Sequence, residues 1–77
     1  LDVRTKEEYN EKHIDGASLL PLDKIDIDSI SQIVSEKDTP IIVYCRSGNR
    51  SQQAREKLIA LGYSKVYDLG AMSNWKE

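Results

Sequence analysis

The residues most able to do chemistry in this chain lie between Thr39 and Arg55. Cys45, the only cysteine, ends an apolar run, and the surrounding segment holds three arginines and no carboxylate. This local positive charge opposes the net charge of −2 of the whole chain. A thiol beside cations loses its proton more readily than a free cysteine, whose pKa is about 8.5. The sequence therefore predicts that Cys45 is a nucleophile within an anion-binding loop.

The elements that must position Cys45 are predicted to be a strand, a tight loop and a helix. The apolar run that follows Pro40 is typical of a buried strand, and residues 49–61 carry apolar side chains at helical spacing. The first N–H groups of a helix lack intrahelical partners and attract anions. Open α/β sheets place ligand sites where parallel strands end. We therefore expect an ionised sulfur, reachable by solvent, among amide hydrogens at the edge of a sheet.

A structural role for Cys45 is the alternative. A free cysteine is among the most buried residue types and commonly behaves as a small hydrophobe. The position of Cys45 at a strand end favours chemistry, but the residue types alone leave both interpretations open.

Four segments, in order along the chain, carry a resemblance to a known family. They are LDVR at residues 1–4, HIDGA at 13–17, YCRSGNRS at 44–51 and LGAMSNW at 69–75. Together they resemble the rhodanese-like, single-domain thiosulfate sulfurtransferases, with Ala71 standing where the family has a second glycine. The resemblance implies one rhodanese-like α/β domain over residues 1–77, trimmed at both ends. It also implies a small parallel sheet flanked by helices on both faces.

The resemblance further implies a sulfurtransferase that forms a persulfide on Cys45. A sulfane sulfur would pass from thiosulfate, or a related donor, to cyanide or a thiol acceptor. Arg46 would receive the anionic donor, and backbone N–H groups of the loop would stabilise the persulfide. Arg50 would either bind substrate or brace the loop against a carboxylate such as Asp2, and bracing is favoured. The residues expected to bind substrate are Arg46, Ser47, Gly48, Asn49 and Arg50.

Two other functions stay open. Four residues separate Cys45 from Arg50, whereas phosphatases with a similar cysteine loop have five and a wider anion cradle. The shorter loop disfavours a phosphatase or an arsenate reductase. The second alternative is a non-catalytic regulatory or sulfur-carrier module of a larger protein. The intact loop argues against a regulatory module, because an inactive copy need not keep the nucleophile. A module that carries sulfur without turnover would have the same sequence.

Composition narrows the class of protein. A chain of 77 residues forms one small domain with marginal stability, and no apolar stretch approaches the roughly 20 residues of a membrane span. The acidic balance gives no broad basic face for nucleic acid. One cysteine excludes an intramolecular disulfide and suits a reducing compartment. We expect a cytoplasmic monomer with no cofactor or metal. Its partners would be a small-molecule sulfur donor and acceptor, or a sulfur-accepting protein, and not nucleic acid or a membrane.

The rest of the chain is predicted to alternate short elements. Residues 5–8 fit a capping box that opens a helix to about Lys12, and residues 18–20 form a short strand. Gly62 ends the long helix, and residues 65–69 form the last strand. Residues 22–39, which lie between the short strand and the apolar run after Pro40, carry a helical stripe that is predicted to belong to the core, with its members at Ile27, Ile30, Ile33 and Val34.

Three further groups are assigned structural roles. His13 is expected to hydrogen-bond within a turn, since a preformed thiolate needs no base. The aspartates at 23, 26 and 28 lack the glycine and distal glutamate of a calcium loop, so they are expected to be solvated. The tyrosines and Trp75 are scattered rather than interleaved with lysines, which predicts packing rather than base stacking.

Overall fold

Two α-helices precede the first strand, and a strand, a helix and a second strand follow them. The computed structural model describes residues 1–75, so the last two residues of the domain predicted over 1–77 lie outside the described part. Single turns of 3₁₀ helix lie at Leu22–Lys24 and Met72–Asn74. The main elements are α1 (Lys6–Glu11), α2 (Ile27–Ile33), β1 (Ile41–Cys45), α3 (Asn49–Ala60) and β2 (Val66–Ala71).

Strands β1 and β2 pair in parallel, and α3 is the crossover between them. A parallel pair needs such a crossover because its two strands start at the same end of the sheet. The register runs from Ile41 opposite Val66 to Cys45 opposite Ala71. Cys45 and the end of β2 are therefore neighbours at the carboxyl edge of the sheet.

The N-terminal residues extend the sheet through single bridges. Asp2 pairs in parallel with Leu19 on one side and with Tyr44 on the other. The Asp2 N–H donates to the carbonyl of Ser18 at 2.8 Å, and the Tyr44 N–H donates to the carbonyl of Leu1 at 3.0 Å. The strands predicted at residues 1–4 and 18–20 thus join the sheet, each through one bridged residue.

One face of β1 lies in the hydrophobic core. Successive strand residues point to opposite faces, and Ile41, Val43 and Cys45 are all buried. They form one cluster with Ala54 and Leu58 of α3. The helical spacing of those two side chains is what lets α3 cover this face. The predicted α/β class with a small parallel sheet is confirmed.

The other face of β1 is only partly covered. The hydroxyl of Tyr44, a buried residue, accepts a hydrogen bond from the Ile14 N–H at 3.1 Å. Ile42 and its register partner Tyr67 are exposed, at 47% and 56%. The turn after α1 therefore shields the Tyr44 end of this face, whereas the Ile42 end meets solvent.

Helix α2 differs from the predicted core stripe. Ile30 is fully buried and Val34 partly buried, but Ile27 and Ile33 are exposed. A step of three residues falls about 60° short of a full turn of 3.6 residues. Ile27 and Ile33 therefore lie on opposite flanks of Ile30, and the prediction that they belong to the core is wrong.

The predicted ends of the other elements hold to within two residues. Helix α1 begins with the predicted capping box at Thr5 and Glu8 and ends at Glu11. Gly62 has a φ of 102° and follows the end of α3, as expected for a left-handed helix stop. No helix of residues 1–75 combines the length and the apolar character that crossing a bilayer requires.

Candidate active site

The cysteine loop joins the end of β1 to the start of α3. Residues 46–48 form a bend, and Gly48 is the N-cap of α3 with a φ of 102°. A β-carbon at Gly48 would lie 3.7 Å from the Gly70 Cα, which is an ordinary contact. Glycine is therefore needed at residue 48 for its positive φ rather than for lack of space.

The Cys45 sulfur receives hydrogen bonds from the start of α3. The Gly48 N–H donates to Sγ at 2.9 Å. Burial raises the pKa of the Cys45 thiol, but hydrogen bonds from Ser51, Gly48 and Ser47 outweigh it and leave the pKa below its ordinary value. These bonds favour the thiolate because they stabilise negative charge on the sulfur.

Cys45 is not reachable by solvent in this structure, contrary to the sequence prediction. Its exposed fraction is 0%. The strand alternation that buries Ile41 and Val43 turns the cysteine to the same covered face. The two interpretations of Cys45 are therefore compatible, because the residue is a member of the core cluster and its sulfur still accepts an amide hydrogen bond.

The predicted substrate-binding residues occupy different environments. Arg46, Ser47 and Asn49 are exposed, whereas Gly48 and Arg50 are half-buried. Of these five, Gly48 donates the 2.9 Å hydrogen bond to the sulfur, and the Ser47 N–H also helps to lower the pKa of the thiol. In that same part of the chain, Arg46 forms no ion pair. The assignment of these residues to substrate binding stays a prediction.

Arg50 is braced by a carboxylate, but that carboxylate belongs to Glu8. Arg50 Nη1 donates to Glu8 Oε1 at 2.7 Å, and Nη2 donates to Oε2 at 3.0 Å. The bond from Arg50, followed by the bond from the Thr5 N–H, lowers the pKa of Glu8 from 4.5 to about 2. The specific expectation that Arg50 pairs with Asp2 is wrong.

Asp2 is unavailable to Arg50 because its oxygens are already occupied. Arg4 Nε donates to Oδ1 at 3.0 Å, and Arg4 Nη2 and the Tyr44 hydroxyl donate to Oδ2 at 2.8 and 2.9 Å. All three side chains are buried. This network ties the N-terminal segment to β1 and has no part in binding the sulfur.

Sequence reasoning missed two residues around the loop. The sequence identifies Glu8 only as a capping residue, because its contact with Arg50 spans 42 positions. Ser51 is completely buried, and its hydroxyl lies 3.0 Å from the Gly48 carbonyl. The available signals were the free carboxylate oxygen that a capping box leaves on Glu8 and the position of Ser51 on the buried side of α3, three residues before Ala54.

The other polar groups have structural partners. His13 Nδ1 lies 2.8 Å from the Tyr9 carbonyl, and its ring stacks on the Tyr9 ring at 3.7 Å. Asp26 caps α2 by accepting the Ser29 N–H at 2.7 Å. Across residues 1–75, no group of three or more potential ligands among His, Cys, Asp and Glu is placed to hold a metal ion.

The lowered pKa of Cys45 predicts its reactivity. Only the thiolate reacts with iodoacetamide, so the alkylation rate should follow the ionised fraction. We expect the rate of the folded protein to reach half its maximum below the pH of about 8.5 that is typical of a free thiol. The same cysteine in urea-unfolded protein is the matched control. A folded midpoint equal to or above the unfolded one would contradict the prediction.

The fold and the cysteine loop together define a rhodanese-type α/β domain. The whole chain, residues 1–77, matches the family model described as "Rhodanese-like domain". The chain therefore belongs to the rhodanese-like domain family, and the resemblance seen in the sequence is confirmed.

The structural and sequence relatives agree with this family. The chain is 35% identical to a "rhodanese with anions from E. coli", with a TM-score of 0.90 over 96% of this chain and 86% of the other. It is 35% identical to the thiosulfate sulfurtransferase PspE of Escherichia coli over 96% of this chain and 70% of that protein. It is 40% identical over 97% of its length to the adenylyltransferase and sulfurtransferase UBA4 of Meyerozyma guilliermondii, but spans only 19% of that protein. These relatives support a sulfurtransferase class for the site.

Proposed function

We propose that this domain transfers a sulfane sulfur from thiosulfate, or a related donor, to cyanide or a thiol acceptor through a persulfide on Cys45. The observation that carries the proposal is the 2.9 Å hydrogen bond from the Gly48 N–H to the sulfur of a cysteine whose pKa is lowered. Relatives named thiosulfate sulfurtransferase, about a third identical to this chain, support the choice of donor.

The first step loads the cysteine. The Cys45 thiolate donates an electron pair to the outer sulfur of thiosulfate, and a new S–S bond forms. The original S–S bond of thiosulfate breaks, and its electron pair leaves with sulfite. The enzyme then carries a persulfide whose terminal sulfur is negatively charged, so no external oxidant or reductant is needed.

The loop is suited to stabilise the negative charge on Cys45 both as the thiolate and as the persulfide. The start of α3 presents N–H groups and the positive end of the helix dipole to the sulfur. Arg46 is exposed and unpaired within the described part of the chain, so its guanidinium is free to receive the sulfonate end of the donor. The donor anion and the persulfide therefore meet the same local positive field.

The second step unloads the cysteine. Cyanide attacks the terminal sulfur, thiocyanate forms, and the electron pair of the persulfide bond returns to Cys45 as a thiolate. A thiol acceptor would follow the same course and leave as its own persulfide. Because Cys45 is regenerated, one protein molecule completes many cycles.

Intact-mass measurement tests the proposal. We expect protein incubated with thiosulfate to gain the mass of one sulfur atom and to lose it on addition of cyanide, with thiocyanate released. Protein alkylated beforehand at Cys45 is the control and should gain nothing. Continued thiocyanate production distinguishes an enzyme from a sulfur carrier. The absence of an adduct from any sulfane donor would overturn the proposal.

A further inference from the structure

Glu8 connects helix α1 to the cysteine loop. Both of its carboxylate oxygens accept hydrogen bonds from Arg50, at 2.7 and 3.0 Å. The two side chains are 22% and 32% exposed. A two-pronged contact between a guanidinium and a carboxylate fixes direction as well as distance, so α1 determines where the Arg50 side chain lies.

The Glu8 carboxylate is also held by Thr5, the N-cap residue of its own helix. The Thr5 N–H and the Thr5 hydroxyl donate to Oε1 at 3.0 and 3.1 Å. The bond from the Thr5 N–H belongs to the capping box of α1. The carboxylate is therefore held by its own helix as well as by Arg50.

Arg50 lies two residues from the amide that contacts the sulfur. Gly48 precedes α3, and Arg50 is the second residue of that helix. Gly48 has no side chain with which to cap α3, and its backbone has the left-handed conformation. The direction of the Gly48 N–H must therefore be set by neighbouring groups that hold the first turn of α3.

We propose that Glu8 is a positioning residue for sulfur transfer: by holding Arg50, it fixes the turn from which the Gly48 N–H reaches the Cys45 sulfur. This inference rests on the proposed function and adds a residue from a distant helix to that site. Glu8 touches neither the sulfur nor the donor and acts through Arg50.

A charge effect without positioning predicts the opposite result. The Arg50 charge favours the Cys45 thiolate, and the two groups interact electrostatically. If Glu8 acted only by offsetting that charge, its removal would leave Arg50 unopposed and would lower the pKa of Cys45. If Glu8 acts by positioning, its removal loosens the amide contact and raises the pKa of Cys45.

The test is the pH dependence of Cys45 alkylation in Glu8→Gln, Arg50→Gln and the double variant. Glutamine at residue 8 keeps an acceptor for the capping box but loses the charge that holds Arg50. We expect the midpoint to rise by at least about half a unit in Glu8→Gln, which lowers the thiolate fraction about threefold at a pH well below the midpoint. Arg50→Gln should shift the midpoint in the same direction. The double variant should add little to Arg50→Gln, because the two residues act as one unit.

Glu7→Gln is the matched control, since Glu7 is an exposed carboxylate in the same turn of α1. It should leave the midpoint unchanged. In steady-state assays, Glu8→Gln should lower kcat for thiocyanate formation and leave KM for thiosulfate near that of the unmodified protein, because Arg46 is untouched. If Glu8→Gln does not fold, Arg50→Lys gives the same test, since lysine keeps the charge but cannot form the two-pronged contact.

Failure of the inference and failure of the proposed function are separable. An unchanged or lowered midpoint in Glu8→Gln, in a protein that still forms a persulfide, overturns the positioning role alone. A protein without mutations that forms no persulfide overturns the proposed function, and the alkylation midpoints still decide whether Glu8 positions the loop.

Discussion

Replacing Cys45 by serine is expected to abolish sulfur uptake from thiosulfate and thiocyanate production. A serine hydroxyl stays protonated at neutral pH and offers no thiolate to attack the donor. Removal of the nucleophile costs a factor of about 10⁴ or more in enzymes where it has been measured. The measurements are intact mass after incubation with thiosulfate and the rate of thiocyanate release.

The fold should survive this substitution. Cys45 is fully buried, but the Gly48 N–H that contacts the sulfur can donate to a hydroxyl at the same place. We expect a cost of about 1–3 kcal/mol, typical of an imperfectly satisfied buried polar group. Cys45→Ala is the matched variant, equally inactive but without the hydroxyl. Sulfur uptake by a folded Cys45→Ser protein at more than a tenth of the original rate would rule out Cys45 as the nucleophile.

Replacing Asp2 by alanine is expected to cause the largest loss of stability. Asp2 is completely buried and accepts hydrogen bonds from Arg4 and the Tyr44 hydroxyl. Its removal leaves a buried guanidinium without its counter-charge, which costs about 3–5 kcal/mol. Small domains have only a few kcal/mol of stability to lose. We therefore expect a large decrease in the urea concentration at the midpoint of unfolding, measured by circular dichroism.

The control for Asp2→Ala removes a carboxylate for which residues 1–75 provide no such partners. Glu56 is an exposed residue of α3, and its replacement by alanine should change the free energy of unfolding by less than about 0.5 kcal/mol. If Asp2→Ala lowered the free energy of unfolding by less than 1 kcal/mol, the buried pair would contribute little to holding the N-terminal segment against β1.

Local patterns in the sequence predict the elements that carry the site. The capping box places the start of α1 at the correct residue, and the apolar run after Pro40 predicts β1. The helix after the loop and its stop at Gly62 follow from apolar spacing and from the need for positive φ. Each of these signals depends on residues that are close together in the sequence, so tertiary contacts were not needed to interpret them.

The contacts between distant segments were not predictable in the same way. The sequence suggested a carboxylate for Arg50, but the choice between Asp2 and Glu8 depends on where α1 lies relative to α3. The burial of Cys45 follows from a rule that was available, since Ile41, Val43 and Cys45 alternate along one strand. The sequence could not show that α3 covers this face of β1 as far as Cys45, the last residue of the strand.

Because the Cys45 side chain is completely buried, every reaction of its sulfur must proceed in two steps, opening of the loop and then reaction. A reagent cannot touch an atom that is covered, so the loop must first open and then either close again or react. At low reagent concentration the observed rate rises in proportion to concentration. At high concentration it levels off at the rate constant for opening, which a small alkylating agent and thiosulfate would then share.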